Sequence, residues 1–305
     1  MKPKVLVITG PTASGKSALA LQLAHQMNGE IICVDSLTVY RGLDIGSAKP
    51  TPEERRQAVH HLLDIRSPHE PFTAADFRVA ATEAIRDITA RGRLPILAGG
   101  TGLYLRTLLS GLTNAPGELP ELREQLRQRA GLEGNEALLA ELAAVDPETA
   151  ARLHPNNLIR IIRALEVYHA TGIPLSRFHA EHGFADRPFE ALQFCLELER
   201  SYLYHRIDQR VDMMIEAGLI HEVRDLLAAG ISADCKPLQA IGYKEAVAFL
   251  RGEFDQEEMA RLIKRNTRHF AKRQLTWFRG EAELQWVAYP ENSATIQIAA
   301  KTFFA

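Results

Sequence analysis

Near the amino terminus Gly10, Pro11, Thr12, Ala13, Ser14, Gly15, Lys16 and Ser17 read GPTASGKS and satisfy every fixed position of the phosphate-loop pattern G-x-x-x-x-G-K-[ST]. Gly10 and Gly15 permit the tight turn that aims successive backbone N–H groups at an anion, Lys16 supplies a full positive charge, and the Ser17 hydroxyl can ligate Mg²⁺. The pattern recognises a phosphate or diphosphate and is silent on base, sugar and reaction. A second chemical signal lies far along the chain. Residues 264–279, KRNTRHFAKRQLTWFR, contain Lys264, Arg265, Arg268, Lys272, Arg273 and Arg279 and no acid. At helical spacing Arg261, Arg265, Arg268, Lys272 and Arg279 share a broad face, with Phe270, Trp277 and Phe278 available for packing or stacking. A solvated charged face could produce such a run, but the lack of a balancing acid favours a surface that contacts nucleic-acid phosphates.

These residues need a frame. The apolar run at 5–8 ahead of the loop and the spacing of Leu19, Leu23 and Met27 behind it predict strand, turn and helix. Further strands are expected near 30–34 and 94–98, and helices near 17–27, 74–89 and 103–109, an alternation that implies a parallel sheet. Polar residues cluster where the strands end: the phosphate loop, then Asp35 and Ser36, then GGTG at 99–102. Ligands of open α/β sheets bind at those carboxyl ends. At 111–120, GLTNAPGELP breaks the pattern, and apolar residues at three- and four-residue spacing then predict helices up to a loop-rich stretch at 172–188. An apolar segment at 192–198 returns to the sheet, and a short strand is expected at 284–287. The fold class is therefore α/β, a phosphate-loop parallel-sheet core formed by 1–115 and 190–305 with an inserted helical domain at 116–189.

With 305 residues, 46% apolar and 24% charged, the chain is expected to be a globular protein of two domains. No apolar run approaches the roughly 18 residues of a membrane span and no signal-peptide layout is present, so a cytoplasmic protein without a membrane partner is expected. Cys33, Cys195 and Cys235 stand far apart without C-x-x-C spacing, which argues against a disulfide framework or a zinc site. The net charge of −2 does not exclude a nucleic-acid partner, because the charges are unevenly placed.

Seven segments narrow the reading: VDSLTVYRGLDIGSAKP (34–50), HHLLDI (60–65), FTAADFR (72–78), PILAGGTGLYLRTLL (95–109), HPNNLIRIIRALEVY (154–168), QAIGYKE (239–245) and KRQLTWFR (272–279). In this order, over nearly the whole chain, they resemble the bacterial tRNA dimethylallyltransferases, also called tRNA isopentenyltransferases. The resemblance implies transfer of a dimethylallyl group from dimethylallyl diphosphate to the exocyclic amine of the adenosine just 3′ of the anticodon, with release of diphosphate. Residues 10–17 would cradle the diphosphate, with Lys16 and a Mg²⁺ on Ser17 stabilising the leaving charge. Arg206 and Arg210 would complete the clamp, unless they form helix-surface salt bridges with Asp208 or Asp212. Asp35 would take the proton of the attacking amine, and Thr101 would orient that amine or bridge to the diphosphate. The rival role for Asp35 is a magnesium ligand in an ATP-using small-molecule kinase. A nucleotide-driven RNA-binding switch is the third class.

By family position, contacts to the tRNA anticodon stem-loop are implied for Asp35, Ser36, Leu37, Thr38, Thr101, Arg123, Ile159, Arg160, Ile161, Ile162, Arg163, Gln239, Ala240, Ile241, Gly242, Tyr243, Lys244, Lys272, Arg273, Gln274, Leu275, Thr276, Trp277, Phe278 and Arg279. The chain departs from many relatives at Leu37 and Thr38, where DSLTVY stands in place of the common DSRQVY. The bases flanking the target are therefore expected to be read differently. His60 and His61 are adjacent and face different ways, so they are expected to be structural or loop residues rather than a metal pair. A monomer is expected.

Overall fold

Six strands, β1 (Lys4–Thr9), β2 (Gly29–Val34), β3 (His60–His61), β4 (Leu94–Gly99), β5 (Glu190–Glu197) and β6 (Gln285–Ala288), form one parallel sheet in the order β3-β2-β4-β1-β5-β6. The computed structural model describes residues 2–183 and 186–305; Phe184 and Ala185, within the loop-rich stretch expected at 172–188, lie outside the described residues. Because β4 lies between β1 and β2, Ile8 pairs with Ala98 and Val34 with Gly99. The phosphate loop, Asp35 and the GGTG turn thus leave neighbouring strands at the same edge.

Helices cover both faces of the sheet, which is why β1 reads as an unbroken apolar run. The helices of the chain are α1 (Lys16–Gln26), α2 (Pro52–Gln57), α3 (Ala74–Ala90), α4 (Gly102–Ser110), α5 (Pro120–Glu133), α6 (Asn135–Val145), α7 (Pro147–Ala150), α8 (Leu158–Thr171), α9 (Leu175–His182), α10 (Arg200–Glu216), α11 (Leu219–Ala228), α12 (Tyr243–Leu250), α13 (Gln256–Arg279) and α14 (Ser293–Phe304), of which α5 to α9 belong to a separate unit described below. On one face Leu6 and Ile8 bury against Leu19 and Leu23 of α1 and Ile296 of α14. On the other, Val5, Val7 and Ile32 share a core with Phe77, Ile85 and Ile88 of α3 and with Leu219 and Val223 of α11. Helix α3 begins where Thr73 and Asp76 cap each other's backbone N–H groups.

The chain divides into two compact units, Met1–Leu109 with Arg187–Ala305, and Ser110–Asp186. The second has its own core of Leu126, Leu138, Leu142, Ile161, Ile162 and Leu165. Its bounds lie a few residues from the expected 116–189, and the segment before α5 is tied into it: Arg163 donates to the carbonyls of Pro116 at 2.6 Å and Gly117 at 3.1 Å, and Leu119 N–H donates to the buried Glu166 at 2.6 Å. The strand at β3 has no counterpart in the sequence reading. Two residues carry no detectable period, and they pair only because β2 offers its edge, where His61 also meets Glu30 at 2.7 Å.

Candidate active site

The phosphate loop is built by backbone conformation. Gly10 has φ +145°, and a Cβ there would lie 2.9 Å from the Leu196 carbonyl oxygen; Gly15 has φ +95° and faces the Tyr289 ring, which a Cβ would meet at 2.6 Å. Between them Ala13 adopts φ +63°, an uncommon conformation for a non-glycine residue. Its carbonyl accepts from Arg206 Nε at 2.8 Å. Lys16 opens α1 and folds back to donate to Pro11 O at 2.6 Å. Burial, then the nearby Arg210 charge, pull its pKa down to about 7, against the pull of Asp35 and Cys195. Burial also lowers the Arg210 pKa, with Asp35 opposing. Two cations held at a cost beside a helix N-terminus describe a site that an anion would relax.

Lys16, Ser17, Arg206 and Arg210 line one cavity of about 950 Å³, together with Tyr202, Met213 and Met214 of α10. The lining also includes residues of the 44–55 segment, to which the sequence reading assigned no site role. That segment is pinned by Glu222, which accepts from the N–H groups of Asp44 (3.0 Å), Ile45 (2.6 Å) and Gly46 (3.2 Å) and from the Tyr243 hydroxyl (2.8 Å). Lys49 is buried there between Asp44 at 2.5 Å and Asp64 at 2.6 Å. The helix-surface alternative for the arginine pair is not what forms: Asp208 takes Arg268 at 2.6 Å and Asp212 takes Lys264 at 2.6 Å.

Asp35 follows β2 directly. Its Oδ1 accepts from the N–H groups of Leu37 at 2.8 Å and Thr38 at 3.4 Å, which closes a local turn and fixes the carboxylate. Burial raises its pKa; the two N–H bonds, Lys16 and Arg210 oppose that rise. Thr101 stands beside it, with its N–H donating to Val34 O at 3.3 Å and its carbonyl accepting from Tyr104 and Leu105 at the start of α4. The sheet therefore brings an anion cradle, a half-buried carboxylate and a hydroxyl to one edge. His60 and His61 are structural: His60 Nδ1 meets Ala58 O at 2.9 Å and His61 meets Glu30, whose carboxyl is held near 2 chiefly by the Arg91 hydrogen bonds.

The residues implied for RNA contact divide by exposure. Ser36, Ile159, Arg160, Gln239, Lys244, Lys272, Arg273, Thr276 and Arg279 are exposed. Asp35, Leu37, Thr101, Arg123, Arg163, Ala240, Ile241, Leu275 and Trp277 are intermediate. Thr38, Ile161, Ile162, Gly242, Tyr243, Gln274 and Phe278 are buried and do not present a side chain to RNA. The helical period explains the last group: Ile161 and Ile162 fill the core of the second unit, Phe278 and Tyr243 that of the first. Arg123 is spent on Glu166 at 2.8 Å and Glu118 at 2.8 Å. Trp277 lies under Arg106, 4.2 Å from ring centroid to guanidinium, so one of its faces is already used.

The basic run also changes character. Acids absent from its own sequence arrive from α10 and from the first turn of α13, since Arg261 pairs with Glu258 at 2.5 Å while Lys264 and Arg268 take the α10 carboxylates. Among the described residues Lys272, Arg273 and Arg279 have no carboxylate partner. Lys272, Thr276 and Arg279 rim a second cavity of about 840 Å³ with Tyr202, Tyr204 and Tyr289. Gln274 turns inward: it accepts from Thr12 N–H at 2.8 Å and donates to Gly100 O at 2.9 Å.

Comparison with known proteins agrees with this geometry. The family profile described as IPP transferase matches residues 38–281. The chain is 72% identical over 305 residues to tRNA dimethylallyltransferase 1 of Trichlorobacter lovleyi, covering all of both chains. It is similar to the crystal structure of a tRNA isopentenylpyrophosphate transferase from Bacillus halodurans, at 42% identity and a TM-score of 0.73, covering 99% of this chain and 97% of that one. A eukaryotic dimethylallyltransferase acting on tRNA superposes with a TM-score of 0.78 at 29% identity, over 98% of this chain and 77% of that one. The chain belongs to the IPP transferase family.

Proposed function

We propose that this protein is a tRNA dimethylallyltransferase that moves the dimethylallyl group of dimethylallyl diphosphate onto the exocyclic amine of the adenosine 3′ of the anticodon. The observation that carries this reading is the half-buried Asp35 carboxylate, fixed by the Leu37 and Thr38 N–H groups beside the cationic loop, where Lys16 and Arg210 both feel its charge. The allylic C–O bond breaks with its electron pair leaving on the diphosphate, the amine nitrogen forms the new C–N bond, and the amine proton passes to Asp35. Loop N–H groups, Lys16 and Arg210 stabilise the charge that develops on the departing oxygen. A carboxylate whose pKa is raised is a better proton acceptor for a weakly basic purine amine. Thr101 would orient that amine.

Among the described residues no group of three or more His, Cys, Asp or Glu could hold a metal ion. Were a Mg²⁺ to enter with the donor, the Ser17 hydroxyl would help to hold it, and it would neutralise leaving-group charge. The exposed part of the α13 surface and the tip of α8 would hold the RNA while the target base is extruded.

The test is single-turnover transfer to unmodified tRNA from radiolabelled dimethylallyl diphosphate, run in parallel with radiolabelled ATP. Label should enter tRNA from the first donor alone. Asp35→Asn should bind both substrates as the native protein does and lose roughly 10²–10⁴-fold in rate. ATP turnover without RNA would favour the kinase, and a native rate in Asp35→Asn would remove that residue from the chemistry.

A further inference from the structure

Gln274 sits toward the C-terminal end of α13 on the stripe that includes Ala271 and Phe278, 7% exposed, between the exposed Arg273 and the half-buried Leu275. Its amide spans two loops that serve different substrates in the proposed reaction. Oε1 accepts the Thr12 N–H of the phosphate loop, and Nε2 donates to the carbonyl of Gly100, one residue before Thr101. An N–H can only donate and a carbonyl can only accept, so the partners themselves set the amide's orientation. Both contacts are to backbone, which lets one side chain hold two loops whatever their own side chains do. Gly100 permits the approach, because a Cβ there would come within 2.3 Å of Nε2. Ala271 packs with Ala13 and Leu203 on the same side of α13, so the phosphate loop is seated on this helix by packing as well as by the amide.

We infer that Gln274 is a positioning residue, locking the diphosphate loop to the Gly100–Thr101 turn and so setting the separation between the leaving group and the attacking amine. This role rests on the donor and acceptor reading proposed above. A displacement is sensitive to that separation: a misplacement of about 1 Å costs on the order of 10²-fold in rate. The Thr12 N–H is committed to Gln274, so the diphosphate is gripped by other groups, and the loss of Gln274 acts on rate more than on donor affinity.

The experiment compares native protein, Gln274→Met and Gln274→Glu by single-turnover transfer from dimethylallyl diphosphate to tRNA at saturating concentrations, with Kd for each substrate and Tm measured alongside. Gln274→Met, similar in size but without either hydrogen bond, should transfer about 10- to 100-fold more slowly with both Kd values within about threefold of native. Gln274→Glu keeps the acceptor for Thr12 and, as the neutral acid, regains an O–H donor for Gly100. Burial favours that neutral form, so its rate relative to native should climb as pH is lowered, while the ratio for Gln274→Met stays flat. Should Gln274→Met fail to fold, the pH-dependent ratio of Gln274→Glu still reads the role. Native single-turnover rates in both variants, or losses that follow Tm and substrate affinity with no recovery at low pH, would overturn it. If the native protein transfers no dimethylallyl group, the donor reading falls and this role with it; native transfer with unaffected variants removes the role of Gln274 alone.

Discussion

Lys16 is a half-buried cation whose pKa is pulled down to about 7 by desolvation and by repulsion from Arg210 in a loop built for an anion. A diphosphate reverses both effects and drives its pKa back toward the ordinary lysine range. Binding is therefore linked to protonation: affinity is fully expressed below about pH 7 and falls as pH rises above it, because a proton must then be taken up. In the empty protein the sign is opposite. The folded state holds fewer protons than the unfolded chain between about pH 7 and the ordinary lysine value near 10.4, so the cost of burying Lys16 fades as pH rises through that window. At about pH 8 the donor's terminal phosphate, which ionises near pH 6, no longer titrates. Calorimetry there in buffers of different ionisation heat should find close to one proton taken up per dimethylallyl diphosphate bound, and none in Lys16→Met. Absence of uptake by the native protein would place Lys16 in the charged state before binding.

At the scale of the element, α13 has two sides with separate duties. Its inward stripe carries Ala271, Gln274 and Phe278 against the loops and the core, while Lys272, Arg273 and Arg279 face outward without acidic partners among the described residues. The basic run read from sequence is thus shorter in effect than in letters, since the charges toward its N-terminal end are neutralised by Glu258, Asp208 and Asp212. Lys272→Ala with Arg273→Ala should weaken tRNA binding and flatten its dependence on salt, by about 0.9 in log–log slope per lost duplex contact and somewhat less on single strands. Lys264→Ala should leave that slope near native, because its charge is already paired. Donor affinity should be unchanged in both variants. Filter binding across a salt titration measures this, and an unchanged slope in the double variant would return the run to an ordinary solvated face.

For the molecule as a whole, each unit has a hydrophobic core of its own, and every catalytic candidate belongs to the first. Replacing Ser110–Asp186 with a short flexible linker should leave a folded protein that binds dimethylallyl diphosphate with native affinity but binds tRNA weaker by on the order of tenfold or more. Native tRNA affinity in that variant would assign RNA binding to the first unit alone. The alternation of strand and helix, the phosphate loop and the location of Asp35 and Thr101 at strand ends were legible in the sequence, because each depends on a local period or on a turn that only certain residues permit. The same locality located α8 and α13, but the RNA contacts there came from family position as whole runs, and within those runs the side chains of Ile161, Ile162, Gln274 and Phe278 are interior. Gln274 meets Thr12 across 262 positions, and Glu222 meets Ile45 across 177, separations at which sequence carries no spacing to read. By itself the sequence determined the family, the parallel α/β core and the residue types of an anion site with a nearby carboxylate. The tertiary structure alone decided which cations stay unpaired, which pKa values burial moves, and that a glutamine of α13 joins the two loops, since charge pairing, desolvation and long-range hydrogen bonds exist only once distant segments pack together.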